Sequence, residues 1–435
     1  MTNKDTNKDT SKTPDKPTDP RVCSPDREYT PEPTPVMDAL REAAKRTQTL
    51  LSFQFNVTER CNLKCRHCYR APEQVSPCTD PTTRQVVDTM EQAHSMGALF
   101  CAFSGGEPLL RPDWHELFHE ARRLKMGVTL MTNGTLLNEK SLKTLIDLNP
   151  GRVQISLYGA TPHTHDHLTN TPGSFEKASR AAEALAKAGV NVTVASVITR
   201  KNAGELNTLF EWAHNIGANP TVNLRLIPGL DGKHCDNCLL PEEEQLPQIF
   251  QIPELSHIVE PRKDNEEDEE NKETQENQEN QKDSETTAEK KWDDLPYCRS
   301  GDTSVCINAD LTVWPCASLP VELGDLKTNT LSEIWKDHPY IKHFQTLRRG
   351  KDLKDECRKC EYRASCSRCP GAAMLAGNEI HGKEPGYCKV ARTVHNLKKK
   401  NREKLIDPTP GSSHIIDASP QKNKATPTWE KEGAF

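Results

Sequence analysis

The chain has 435 residues, 34% of them hydrophobic, with 31 prolines against 22 glycines, which is long enough for two or three domains but too polar for all of it to be packed core. A net charge of −6 gives no general attraction to nucleic acid or to an anionic membrane, and no apolar run reaches the length of a membrane span or a signal core. A cytoplasmic location is expected, and in that reducing compartment sixteen cysteines point to metal binding rather than disulfides.

Residues 1–34 are Lys, Asp, Thr and Pro with little to bury, and read as a disordered tail that includes Cys23. Val36 to Leu51 reads as a helix with Met37, Leu40 and Ala44 on one face. A strand at Ser52–Val57 follows, and the pattern of strand, loop and helix then repeats. Apolar runs at Leu99–Phe103, Val128–Met131, Val153–Leu157, Val192–Ile198 and Val222–Leu226 are expected strands. Amphipathic segments at Thr82–Met96, Trp114–Lys125, Asn138–Leu148, Phe175–Ala188 and Ala203–Ile216 are expected helices. Gly97, Gly127, Gly189 and Gly217 stand where helix C-caps need glycine. Six such units over residues 35–258 predict an α/β fold with a parallel sheet and right-handed crossovers. Within them, Cys235-x2-Cys238 lacks two further ligands and reads as a pair of free thiols. Residues 259–291 are rich in Glu, Asn and Gln and read as an acidic disordered linker. Residues 292–400 hold a dense cysteine field, and 401–435 read as a second disordered tail.

The chemistry concentrates after the first strand, at Cys61-x3-Cys65-x2-Cys68. Thiolate sulfur is the ligand of iron–sulfur clusters and of zinc, and a four-iron cube held by three cysteines keeps one iron open for chemistry. A closed zinc site needs a fourth ligand at its own spacing. The cysteines follow the carboxyl end of a strand, where α/β barrels place their chemistry. One unit later comes Ser104-Gly105-Gly106-Glu107-Pro108, whose glycines let backbone approach a ligand and whose carboxylate can pair with an ammonium group. By itself that segment could be only a turn. Thr132-Asn133-Gly134-Thr135 follows the third strand, and Ser156 lies on the fourth.

Taken together, these segments resemble the radical S-adenosylmethionine (SAM) family. The resemblance implies an open partial (β/α)6 TIM-like barrel. Cys61, Cys65 and Cys68 would hold a [4Fe-4S] cluster whose open iron chelates SAM, and one electron would split SAM into methionine and a 5′-deoxyadenosyl radical. It further implies SAM contacts from Ser104, Gly105, Gly106, Glu107, Pro108, Asn133 and Ser156, and from His67, which stands at a position near the adenine that is aromatic in most relatives. No arginine stands in His165–Thr169, where many relatives carry one. Cys298, Cys306, Cys316, Cys357, Cys360, Cys366, Cys369 and Cys388 resemble the SPASM domain, a small Cys-rich module with two auxiliary [4Fe-4S] clusters. By that resemblance Cys298, Cys306, Cys316 and Cys369 form one ligand set and Cys357, Cys360, Cys366 and Cys388 the other. Two departures remove no ligand: Leu311 replaces the usual glycine, and two residues rather than three separate Cys366 from Cys369.

SPASM proteins mostly modify peptides, so the expected substrate is a ribosomally made peptide that is crosslinked or oxidised. Ala317 follows the third SPASM cysteine, where sulfatase maturases carry an aspartate. The segment before the first strand is too short for a leader-binding module, so a separate leader-binding protein is the expected partner, with flavodoxin or ferredoxin as reductant. One alternative is modification of a small metabolite or a tetrapyrrole side chain. Another is an iron–sulfur or zinc protein that only binds a partner or carries electrons, although such a protein has no need of a SAM pocket.

Overall fold

The computed structural model describes residues 35–70, 80–224, 226–230, 239–260, 292–336, 338–377 and 379–406. Both expected tails lie largely outside that range, as do Cys23, Cys235, Cys238 and nearly all of the acidic linker.

Helix α1 (Pro35–Arg46) is shorter than its apolar pattern suggests. Leu50 and Leu51 are buried in extended chain, and Leu51 N donates to Thr303 O at 2.8 Å, so tertiary pairing takes the last turn away. Six parallel strands then follow in sequence order. They are β1 (Ser52–Thr58), β2 (Phe100–Gly105), β3 (Gly127–Thr132), β4 (Arg152–Ser156), β5 (Val192–Val197) and β6 (Asn219–Asn223). Between them lie α2 (Thr83–Ser95), α3 (Trp114–Arg123), α4 (Glu139–Leu148), α5 (Pro162–Thr169), α6 (Ser174–Lys187) and α7 (Leu206–Asn215). Local chemistry starts the helices where the sequence indicates: Thr82 with Gln85, and Asn138 with Ser141, form reciprocal caps.

Three expectations shift. Strand β6 starts three residues before its apolar run and includes Pro220; as the outermost strand of the sheet it tolerates a residue that cannot donate. Helix α5 occupies a segment without a clear apolar stripe; Thr161 caps it and Pro162 opens it. After α3 the left-handed residue is Lys125, with φ 56°, while Gly127 already belongs to β3.

Strands β3 and β4 alternate strictly, and β1 does so over its first four residues. Phe53, Phe55, Val57, Phe103, Leu130, Val153 and Ile155 point toward the helices and are buried. Gln54, Ala102, Ser104, Thr129, Met131, Gln154 and Ser156 face the other way and are half-buried. This gives the partial barrel an inner face that is polar and reachable.

The C-terminal part continues the same sheet. Strands β7 (Ser304–Ile307), β8 (Thr312–Trp314) and β9 (Gly324–Asp325) extend it in the order β6-β5-β4-β3-β2-β1-β7-β8-β9. Strand β7 runs parallel to β1 with Gln54 opposite Cys306, so β1 does not close onto β6 and the barrel stays open. Trp335 Nε1 donates to Gln48 O at 3.2 Å and Leu331 N to Gln92 Oε1 at 2.8 Å, which binds the two parts further. Two boundaries move accordingly. Val259, expected in the linker, is buried with Phe250 and Val394, and the last helix, Pro385–Ile406, runs past residue 400.

Candidate active site

The cysteine loop leaves β1 at its carboxyl end and is braced on three sides. At its root, Thr58 Oγ1 donates to Asp80 Oδ1 at 2.7 Å, and the Arg60 guanidinium pairs with the same carboxylate at 2.6 Å. On its second side runs Ser104–Pro108. Gly106 N donates to Thr58 O and Glu107 N to Arg60 O, both at 2.8 Å. A Cβ at Gly105 would lie 2.2 Å from Thr58 O, and one at Gly106 2.2 Å from Arg60 O, so the close approach of the two segments requires the paired glycines. On the third side, Arg66 N donates to Leu168 O at 2.8 Å and Arg66 Nε to His167 O at 2.9 Å, which ties the loop to α5.

Glu107 is fully buried, and its carboxylate accepts from Leu109 N at 3.1 Å, Thr132 Oγ1 at 2.7 Å and Asn133 N at 2.8 Å. Burial raises its pKa above the usual carboxylate range against the pull of these donors. The carboxylate therefore fastens the Gly-Gly turn to the Thr132–Thr135 turn, and the backbone of the segment is what remains to meet a ligand. Asn133 Nδ2 donates to Asn62 Oδ1 at 2.9 Å and Asn62 Nδ2 to Thr135 Oγ1 at 2.8 Å, so this turn in turn grips the cysteine loop.

Cys61, Cys65 and Cys68 are all half-buried. Burial, then Cys68 and Cys61, push the Cys65 thiol well above its ordinary pKa; Cys61 is raised by burial, by Glu107 and by Cys68. Three thiols thus face one space and resist ionising together, and a positive centre between them would relieve that repulsion. Among the described residues no three His, Cys, Asp or Glu side chains are close enough to hold a single metal ion.

His67 lies edge-on to Tyr158 with ring centroids 4.2 Å apart, and Tyr158 stacks on His165 at 5.7 Å. Burial, with a contribution from His165, lowers the His67 pKa to about 4, so the ring is neutral at pH 7. Its Nδ1 is buried without a partner. Ser156 lies near enough to the Tyr158 hydroxyl to offset part of the rise that burial imposes on it, and Ser104 sits opposite Asn56 on β1. Only the fold brings Tyr158 onto His67.

Asn56, to which its place in the first strand assigns no site role, connects the two cysteine regions. Its Nδ2 donates to Cys306 Sγ at 3.3 Å and to Asn308 Oδ1 at 2.9 Å, and it is fully buried. Arg70 is the second missed residue: it is buried, pairs with Glu59, and lowers the pKa of Cys306 against burial, which drives that thiol up to about 12. No local pattern marks either residue, because each acts across the β1–β7 seam.

The C-terminal thiols lie within electrostatic reach of one another. Cys316 feels Cys298 and Cys369, and Cys306 feels Cys316. Cys388 feels Cys366, Cys357 and Cys360. A cavity of about 450 Å3 opens onto Cys357, Cys360, Cys366, Cys369 and Cys388, so Cys369, expected in the other ligand set, shares this wall, along with Arg349, Arg363, Arg368, Glu356 and Glu384. Thiols facing guanidiniums around a void suit an anionic thiolate-ligated cluster. A second cavity, of about 500 Å3, lies against the inner face of the barrel. Gln54, Thr129 and Arg152 line it from the strands, Arg41 from α1, and Cys306, Cys316 and Ala317 from the C-terminal part.

Comparison with known proteins agrees with this geometry. Residues 55–213 match the family model described as the Radical SAM superfamily, and residues 298–361 match SPASM, an iron–sulfur cluster-binding domain. The AdoMet-dependent heme synthase of Methanosarcina barkeri is 29% identical over 334 residues, covering 77% of this chain and 95% of that protein. The PqqA peptide cyclase of Gluconobacter oxydans is 27% identical over 362 residues, covering 80% and 94%. The solved structure of native anSMEcpe with bound AdoMet and Kp18Cys peptide superposes with a TM-score of 0.57 at 17% identity, over 82% of this chain and 98% of that one, a likeness of fold. A three-cysteine loop at the end of β1, a glycine turn locked against it and a C-terminal thiol field seated on the same sheet accord with a radical SAM domain over residues 55–213 and a SPASM iron–sulfur cluster-binding domain over residues 298–361.

Proposed function

We propose that this enzyme cleaves SAM reductively at Cys61, Cys65 and Cys68 and oxidises the side chain of a carboxylate-bearing tetrapyrrole held on the inner face of the barrel. The observation that carries this reading is the cavity between that face and Cys306 and Cys316, which presents Arg41 and Arg152 and, among the described residues, no carboxylate. The full-length likeness to a heme synthase supports the substrate class.

With its cofactors bound, the three-cysteine site supplies the electron that splits SAM and thereby the radical that takes a substrate hydrogen. The remaining work falls to the chain. The backbone of Ser104, Gly105 and Gly106, the turn at Asn133 and the hydroxyl of Ser156 hold SAM, and Glu107 and Pro108 fix the shape of that cradle. His67, neutral at pH 7, offers an unpartnered Nδ1 without adding a charge. Cys298, Cys306, Cys316 and Cys369 hold one auxiliary [4Fe-4S] cluster, and Cys357, Cys360, Cys366 and Cys388 the other. Four ligands each would leave no open iron, so these clusters would carry electrons and shape the substrate site. A flavodoxin or ferredoxin in the cytoplasm supplies the electron.

The second reading is modification of a ribosomally made peptide, favoured by the likeness to PqqA peptide cyclase over nearly all of that protein. A leader-binding partner would then raise the local concentration of the core peptide at the barrel mouth. The test is anaerobic turnover of reconstituted protein with SAM and dithionite, given iron-coproporphyrin III in one arm and candidate precursor peptides in another. A SAM-dependent mass change in the tetrapyrrole that is lost in Cys65→Ala supports the first reading. A change confined to the peptide replaces it with the second.

A further inference from the structure

The inner face of the barrel offers more than a general cavity, because its charges are unevenly placed. Arg152 opens β4 at the end of the sheet away from the cysteine loop, opposite Thr129 of β3. Arg41 reaches the same cavity from α1. Arg41 also has an interaction within the chain, so Arg152 is the leading group. Gln54 and Thr129 add neutral polar groups between them. Ala317 occupies the wall beside Cys316, so no carboxylate competes there for the guanidiniums.

We propose that Arg152, assisted by Arg41, is a carboxylate-anchoring subsite at the floor of the barrel, which fixes one end of the substrate and sets its length. This rests on the function proposed above and narrows it. A guanidinium takes a carboxylate through two parallel hydrogen bonds, which fix direction as well as position. From Arg152 to Ser156 the strand rises four residues, about 13 Å at the usual spacing. The reacting C–H near the Ser156 end must therefore lie on the order of 10 Å from the anchored carboxylate. Single amino acids and short acids are too small to span that gap. A macrocycle with carboxylates on opposite edges spans it, and so does an extended peptide with an acidic residue a few positions from its reacting residue.

The experiment uses the full, reconstituted chain and reads binding by quenching of intrinsic tryptophan fluorescence. The probes are coproporphyrin III, its tetramethyl ester, a glutamate-bearing 12-residue peptide and the same peptide with glutamine. The expected result is that Arg152→Gln weakens an acidic probe about tenfold or more, that Arg152→Lys recovers part of the loss, and that the ester or glutamine probe does not respond to either change. Arg41→Gln should give a smaller loss. The acidic probe that shows this dependence identifies the source of the carboxylate. Equal binding of acid and neutral probes, or an unchanged affinity in both Arg152→Gln and Arg41→Gln, overturns the subsite. SAM cleavage by the unmutated enzyme without substrate is measured in parallel. Its presence alongside a failed arginine test leaves the radical chemistry standing and removes only the anchor, whereas its absence removes the proposed function itself.

Discussion

The barrel and the C-terminal part both present cysteines, but they hold them in opposite ways. In the barrel, strands of five to seven residues stack a continuous buried core, and the three-cysteine loop hangs from the end of one of them. Hydrogen bonds from the Glu107 amide, Asn62 and Arg66 fix that loop without help from its thiols. Beyond residue 292 the strands have two to four residues, and most helices have four to eight. The separate core there consists of Trp292, Tyr297, Leu319, Phe344, Leu347 and Leu353, with Cys298, Cys316 and Cys357 packed against it. So small a core supplies little stability of its own, and metal-ligand bonds substitute for missing hydrophobic burial in such modules. The first site is held by the fold, while metal at the second would take part in holding it.

That contrast is tested most strongly by Cys65→Ala. The substitution should abolish 5′-deoxyadenosine formation, because two thiolates cannot keep a cube with one open iron, yet leave thermal unfolding of the barrel nearly unchanged. Undiminished cleavage, read by chromatography of the nucleoside product, would break the assignment of the loop.

The next largest effect is expected from Cys360→Ala. Wild-type protein should bind about 12 irons, four for each of three clusters. The variant should lose about four of them and, in contrast to Cys65→Ala, should also lose amide-exchange protection across 353–400 while 52–197 stays protected. Equal protection in both variants would show that the C-terminal part stands without its metal. Two bound zinc ions with only about four irons would favour a zinc-ribbon reading.

A smaller effect is expected at Asp166, whose carboxylate accepts from Gly173 N at 2.6 Å, Phe175 N at 2.8 Å and Ser174 Oγ at 2.9 Å at the start of α6. Burial pushes its pKa up, but these donors outweigh burial and hold it below the ordinary aspartate value. A depressed folded pKa means stability that is present above the unfolded value, near 3.9, and lost as pH falls through the folded one. Asp166→Asn should cost about 1 kcal/mol at pH 7, and the gap to wild type should narrow as pH falls from about 4 through the lower folded value. A gap that does not narrow at all on acidification in urea titrations would assign the loss to packing.

The smallest effect concerns Leu311, which adopts φ 72° in the turn between β7 and β8 while 4% exposed. Relatives of the motif carry glycine there. Alanine substitutions ordinarily cost less than glycine ones, but in the left-handed region a Cβ is penalised by about 1 kcal/mol. Leu311→Gly should therefore be more stable than Leu311→Ala by about that amount, although both fall below wild type through lost burial. The usual order, with alanine ahead, would show that the turn relaxes.

Much of this molecule is local. Alternation in Phe53–Val57 and Val153–Ile155 marks strands because a pleated sheet turns successive side chains to opposite faces. The caps at Thr82 and Asn138 mark helix starts because a short polar side chain satisfies the first free amides. Cys61-x3-Cys65-x2-Cys68 and Gly105-Gly106 announce their chemistry because loop ligands and close backbone approach need those residue types at adjacent positions. What the sequence could not disclose is everything that depends on partners far along the chain. Parallel pairing of β7 with β1 turns Cys306 onto the face of Gln54 and lets Asn56 reach it, and 250 residues separate that asparagine from that thiol. Register between distant strands is decided by burial of their shared face, which no local window contains. The same holds for Glu107, whose carboxylate reads as a ligand group in its own segment and becomes a buried fastener once Thr132 and Asn133 are folded against it. Residue type and spacing determined which chemistry the chain can hold; the seam between β1 and β7 decided that Asn56 and the face of Gln54 meet Cys306.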